Sequence, residues 1–128
     1  MRPARFRFFS RAALAAVAVL SSVAALAGGN YEFLAAPQVN LNLVFRVNRV
    51  NGEVGACHFG LQKGAAIGVT LCYPPGEGAK AGAESDYSLV ASHHTGESGV
   101  FRVDLRTGEM AVCYLLAAKS VVCTPPAK

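Results

Sequence analysis

From Tyr31 onward the apolar and polar positions of the chain fall into short runs broken by turn residues, and no stretch carries the 3.6-residue period of an amphipathic helix. Tyr31 to Ala36 and Tyr87 to Ser92 are short apolar runs rich in β-favouring residues, while Leu41 to Asn48 and Val100 to Asp104 alternate apolar with polar. All four predict strands. Asn48 and Asp104 each stand four residues before a glycine, Gly52 or Gly108, after which a new apolar run begins. An Asx side chain that accepts hydrogen bonds from the amides ahead of it, with glycine supplying positive φ at the far end, specifies a tight turn.

The same pattern is written twice, at an offset of 56 residues: Tyr31-Glu-Phe-Leu-Ala35 over Tyr87-Ser-Leu-Val-Ala91, Val44-Phe-Arg-Val-Asn48 over Val100-Phe-Arg-Val-Asp104, Gly52-Glu53 over Gly108-Glu109 and Cys57 over Cys113. Each copy closes on a second cysteine, one residue and two prolines, Cys72-Tyr-Pro-Pro75 and Cys123-Thr-Pro-Pro126. Such a period means one supersecondary unit duplicated.

If Asn48 pairs with Glu53 across its turn, period two puts Leu43, Phe45, Val47, Val54, Ala56 and His58 on one face. The second copy follows with Phe101, Val103, Met110, Val112 and Tyr114. That face is the expected core, with His58 a hydrogen-bonded core histidine. The opposite face carries Arg46, Glu53 and Cys57, or Arg102, Glu109 and Cys113, and is expected to be solvated, its Arg and Glu paired diagonally across the strands.

Residues 1–27 read differently. Arg2, Arg5, Arg7 and Arg11 form a positive head, Ala12 to Ala27 is a run of apolar and small residues, and Ala25-Leu-Ala27 is a cleavage site of the A-x-A kind before Gly28. The pattern predicts a helical secretory signal peptide, and its apolar run is shorter than the roughly 20 residues of a membrane span. After cleavage no span is expected. Four of the twelve basic residues lie in this head and all eight acids follow it, so the remainder carries eight of each and a formal net charge of zero. Without a basic surplus or cluster the footprint of a nucleic-acid binder is missing, and nucleic acid is excluded as an expected partner.

Export gives the cysteines their meaning. An even count in a small exported chain is a disulfide framework, and no C-x-x-C spacing offers a redox dithiol or zinc knuckle. Four cysteines permit three connectivities. Cys57 and Cys72 are centred on Lys63-Gly64-Ala65-Ala66 and Cys113 and Cys123 on Ala118, so each pair can face across a hairpin within its own copy, and duplication of a bridged unit copies the bridge.

The expected organisation is a signal peptide over 1–27, a first β repeat over 28–75, a linker over 76–86 without apolar periodicity, and a second β repeat over 87–128 whose tail from Thr124 is loose. Two antiparallel meanders of about four strands bury their apolar faces against each other, giving an all-β sandwich with an approximate two-fold axis or a small closed barrel.

The segment Phe101-Arg-Val-Asp-Leu-Arg-Thr-Gly-Glu109 resembles the strand-turn-strand element of propeller blades of the pyrroloquinoline-quinone-repeat type, and also hairpins of small exported bacterial proteins of uncharacterised family. The resemblance covers about nine residues per copy, with Asn51 in place of Thr107 in the first. It implies the hairpin. There is no Trp in the chain, and no quinone or other cofactor is expected.

For catalysis, Ser88, Ser92 and Ser98 with His93 or His94 and Asp86 or Glu97 supply nucleophile, base and carboxylate types within one stretch, but no G-x-S-x-G elbow is present and the set does not recur in the first copy. No catalytic residue is assigned. His93, His94 and Glu97 offer two imidazoles and a carboxylate to Zn²⁺ or Cu²⁺, yet adjacent histidines on a strand point to opposite faces, so they are metal candidates only. The duplicated residues are those of fold and staple. The expectation is a non-catalytic, periplasmic or secreted module that binds a protein or envelope component; the alternative is a small hydrolase or metal-dependent enzyme using residues 86–98.

Overall fold

The computed structural model describes residues 29–125; the expected signal peptide over 1–27 lies outside them, as do residues 126–128. Eight strands follow in order: β1 (Tyr31–Ala35), β2 (Leu43–Asn48), β3 (Val54–Gly60), β4 (Val69–Tyr73), β5 (Tyr87–Val90), β6 (Val100–Asp104), β7 (Met110–Leu116) and β8 (Ser120–Cys123). They form two four-stranded antiparallel meanders, β1-β2-β3-β4 and β5-β6-β7-β8, packed face to face without pairing into one sheet. The fold is therefore an all-β sandwich and not a closed barrel.

The turns form as their residues dictate. Asn48 N–H donates to the Glu53 carbonyl, and the Asn48 side-chain oxygen accepts from the amides of Val50 and Asn51 at 2.9 and 3.2 Å. Asp104 repeats every element of this, with Glu109 as its partner and the amides of Arg106 and Thr107 on its carboxylate. Gly52 and Gly108 take φ of 73° and 76° to close the two turns. Register follows, with Phe45 opposite Ala56 and Phe101 opposite Val112. Both bridges join as expected, Cys57 to Cys72 and Cys113 to Cys123. Each pair sits directly opposite across neighbouring strands with Cα atoms 4.0 Å apart, closer than the usual range of about 4.4 to 6.8 Å.

The core departs from expectation in one copy. On the first sheet Leu43, Phe45, Val47, Val54 and Ala56 are buried, as the pattern requires. On the second sheet the buried residues are Leu89, Val100, Ala111, Cys113, Val121 and Cys123, which belong to the face expected to be solvated. Phe101, Val103, Met110, Val112 and Tyr114 lie on the outside, with Met110 60% and Tyr114 37% exposed and the other three half-buried. A two-fold axis would bury the same positions in both copies, so the sheets are not related by one. They stack front to back. The physical reason is that period two sorts residues into two faces but does not say which face a neighbour covers, and here both faces of the second copy are apolar enough to be covered.

The linker over 76–86, with Pro74 and Pro75 before it, forms a connector held by backbone hydrogen bonds. Val121 N–H donates to the Pro74 carbonyl, Gly76 N–H to the Val121 carbonyl and Cys123 N–H to the Glu77 carbonyl, so residues 74–77 lie along the free edge of β8. Ala79 is fully buried and accepts from Val54 N–H, while Gly82, Ser85 and Tyr87 donate to the turn over residues 49–51. Covering a free edge leaves fewer unpaired backbone groups for stray strand pairing. Thr124, expected in the loose tail, is also tied down: its N–H donates to the Val112 carbonyl and its hydroxyl accepts from Val112 N–H.

Candidate functional site

On the outer face of the first sheet, strand alternation brings Tyr31 and Phe33 from β1, Val44 and Arg46 from β2, Cys57 and Phe59 from β3 and Thr70 and Cys72 from β4 to one side. Phe33 is 65% and Phe59 59% exposed, and with Val44, Arg46, Cys57 and Thr70 they line a groove of about 370 Å³. The Arg46 guanidinium lies over the Tyr31 ring, 5.5 Å from its centroid. This face was expected to be a solvated one held by an Arg46–Glu53 pair. That pair does not form: among the described residues the ion pair observed is Arg49 with Asp86, at 3.6 Å between two half-exposed side chains. Among the described residues Arg46 pairs with no carboxylate, which suits recognition of carbonyl or carboxylate oxygens by its five donors.

The equivalent face of the second sheet points inward. Arg102 stacks over Tyr87, 5.9 Å from the ring centroid, and its Nη1 donates to the carbonyls of Gly52 at 2.9 Å and Gly78 at 3.1 Å. Thus Arg102 also makes no ion pair with Glu109. It fastens the second sheet to the first turn and to the connector. A cleft of about 420 Å³ opens beside it, lined by Lys80, Tyr87, Asp104 and Glu109 among others. Asp104 is held below the usual carboxylate range chiefly by the Ser85 hydroxyl at 2.7 Å; desolvation opposes this, and the amides of Arg106 and Thr107 each add a smaller lowering effect. All three of these bonds fall on one carboxylate oxygen, Oδ1, and serve the turn. Across the sheets, the Glu32 carboxylate accepts from the Ser88 hydroxyl at 2.9 Å and from Leu89 N–H at 3.0 Å.

The catalytic combination considered above is not assembled. Ser88 is bonded to Glu32 and Asp86 to Arg49, and among the described residues no serine hydroxyl hydrogen-bonds a histidine ring. His93, His94 and Glu97 sit exposed on the β5–β6 loop, and no group of three or more His, Cys, Asp or Glu able to hold a metal ion occurs among the described residues. His58, expected to be a hydrogen-bonded core histidine, has the hydrogen bond, its ring meeting the Tyr73 hydroxyl at 3.0 Å, but it is half-buried and lies outside the buried core.

Sequence reasoning missed Tyr31, Phe33, Val44 and Phe59 as a surface. The available signal was that three aromatic residues and a valine shared the face assigned to Arg46, more than a solvated face needs. Among the described residues no helix is long and apolar enough to cross a membrane, and no cysteine is free, a state compatible with an oxidising compartment. No known family matches the chain, and neither a curated protein nor a solved structure matches it.

Proposed function

We propose that this chain is a non-catalytic, disulfide-stapled β module of the periplasm or the secreted fraction, which binds a protein partner through the outer face of its first sheet. The observation that supports it is the groove between Phe33 and Phe59, with Arg46 stacked at its side. Clustered exposed apolar side chains mark interaction surfaces, and aromatic residues with Arg dominate the energetic centres of protein interfaces. An envelope protein would meet the module in that compartment. The likeness to quinone-repeat hairpins is taken as one of the strand-turn-strand element alone, and no cofactor enters the proposal.

A photo-crosslinking side chain placed at Phe33 or Phe59 in expressing cells tests it. An adduct of discrete mass is expected from these positions and none from His93 or His94. The reverse pattern would move binding to the β5–β6 loop and end the proposal for the sheet face.

A further inference from the structure

We infer that the partner is a second copy of this chain, docked head to tail, with the outer face of the first sheet in one copy against the outer face of the second sheet in the next. This rests on the proposed role of the first sheet's outer face. The reason is internal to the fold. Each copy contains one interface between repeats, made by the front of the first sheet and the back of the second. The surfaces left over are the back of the first sheet and the front of the second, which are the same two surfaces by repeat position.

The equivalence holds residue by residue at the 56-residue offset. The covered back of the second sheet offers Leu89, Val100, Arg102, Cys113 and Leu115; the uncovered back of the first offers Phe33, Val44, Arg46, Cys57 and Phe59. The covered front of the first sheet offers Phe45, Val47, Val54 and Ala56, and the uncovered front of the second offers Phe101, Val103, Met110 and Val112. Neither leftover surface has gone polar. Met110 and Val90 are half or more exposed on one side, as Phe33 and Phe59 are on the other.

Two details of the internal interface have their second half waiting. The Tyr87 ring packs on Gly52 so closely that a Cβ there would lie 2.9 Å from it, whereas Gly108, in the equivalent turn, has nothing within 4 Å. Tyr31, the equivalent of Tyr87, is itself exposed. Likewise Arg102 donates to the Gly52 carbonyl, while among the described residues Arg46 meets no such acceptor and the Gly108 carbonyl of a second copy stands at the matching position. Docking therefore puts Tyr31 of one copy on Gly108 of the next and Arg46 on its carbonyl. Such a contact uses different patches on the two partners, so each added copy exposes a fresh patch, and growth continues until the rotation closes a ring.

Sedimentation velocity of the exported chain over a concentration series reads the outcome, with two variants designed on exposed positions: Phe33→Glu with Phe59→Glu on the first sheet, and Val90→Glu with Met110→Glu on the second. Wild type should show species heavier than one chain whose share rises with concentration. Each variant should lose all of them, and an equal mixture of the two should recover a species of two chains and nothing larger, because each variant retains the patch that the other needs. A wild type that stays a single chain up to its solubility limit would overturn the second-copy assignment, while an adduct between Phe33 and some other protein would leave the binding-face proposal standing. Association lost in the first variant but kept in the second would mean a symmetric contact and would equally end the head-to-tail proposal. Should a variant fail to fold by circular dichroism, mapping of the Phe33 photo-adduct in otherwise unaltered chain decides: peptides covering Met110 to Tyr114 support the contact, and any other site refutes it.

Discussion

The two sheets carry the same Asx-glycine turn, the same strand register and a bridge across the same pair of strands, yet they live in opposite surroundings. Phe45 has no exposure at all, while Phe101, its equivalent, sits half-buried on the outside. The Cys113–Cys123 bridge lies inside the sandwich, and Cys57–Cys72 lies on the outer surface with Cys72 exposed. Arg102 holds two backbone carbonyls; Arg46 lies over the face of Tyr31. Duplication therefore copied the local structure and left the environment to be assigned by docking. A residue's energetic weight here follows the face that its sheet turns inward, and equivalent residues should answer differently to the same substitution.

The largest difference is expected at the aromatic pair. Phe45→Ala should cost about 3–5 kcal/mol, as for a phenyl ring removed from a closed core, and Phe101→Ala about 1 kcal/mol in keeping with its partial burial. Urea unfolding midpoints measured on both variants test it; equal losses would mean that the second sheet buries the same face as the first.

The bridges come next. Loop closure alone makes each worth about 3 kcal/mol, with little difference between sequence separations of 15 and 10, so the contrast between them should come from burial. Under native conditions with limited reductant, thiol labelling should reach Cys57 and Cys72 first. Cys113 and Cys123 should stay protected until the domain unfolds. Labelling of all four at one rate would break the distinction.

A smaller effect separates the arginines. Arg102→Ala strands the partly buried Gly52 carbonyl and should cost about 1–3 kcal/mol, whereas Arg46→Ala, measured at dilution, should stay within about 0.5 kcal/mol. Thermal denaturation of the two variants side by side shows whether the ratio holds.

The smallest contrast concerns the two turn caps, since Asn48 and Asp104 do the same work but only Asp104 titrates. Its folded pKa is depressed, with the Ser85 hydroxyl the main cause, so its contribution is present above the unfolded carboxylate value of about 3.9 and is lost as pH falls through the lower folded value. Wild type should lose stability below about pH 4 in excess of Asp104→Asn, whose side chain caps the turn as Asn48 does without a charge to lose. Identical acid profiles for the two proteins would remove Asp104 from the account.

Much of this was legible because it is local. Asn48 and Gly52 specify their turn by hydrogen bonds within a few residues and so fix the register of β2 on β3, while Cys57 and Cys72 meet across the next hairpin, whose centre lies midway between them. The connector was harder to read. Ala79 has no periodic partners to announce its burial, and the bonds from Val121, Cys123 and Val54 onto residues 74–79 join segments far apart in sequence. The Arg46 and Arg102 contacts were misjudged because an acid close in register looked like the natural partner, when an aromatic ring and two carbonyls lay nearer.

An all-β chain of two copies, the strand pairing within each, the Asx-glycine turns and both disulfides can be read from the residues alone, because each of these follows from residues that meet across a single hairpin. The packing of one sheet on the other settles that they stack front to back, which of the two bridges is buried, and that Phe33, Phe59 and Arg46 face outward while Leu89, Leu115 and Arg102 are covered. Alternation divides a strand into two faces with equal authority. When both faces are apolar enough to be buried, the choice belongs to the docking of one sheet on another, and no single sheet's pattern contains it.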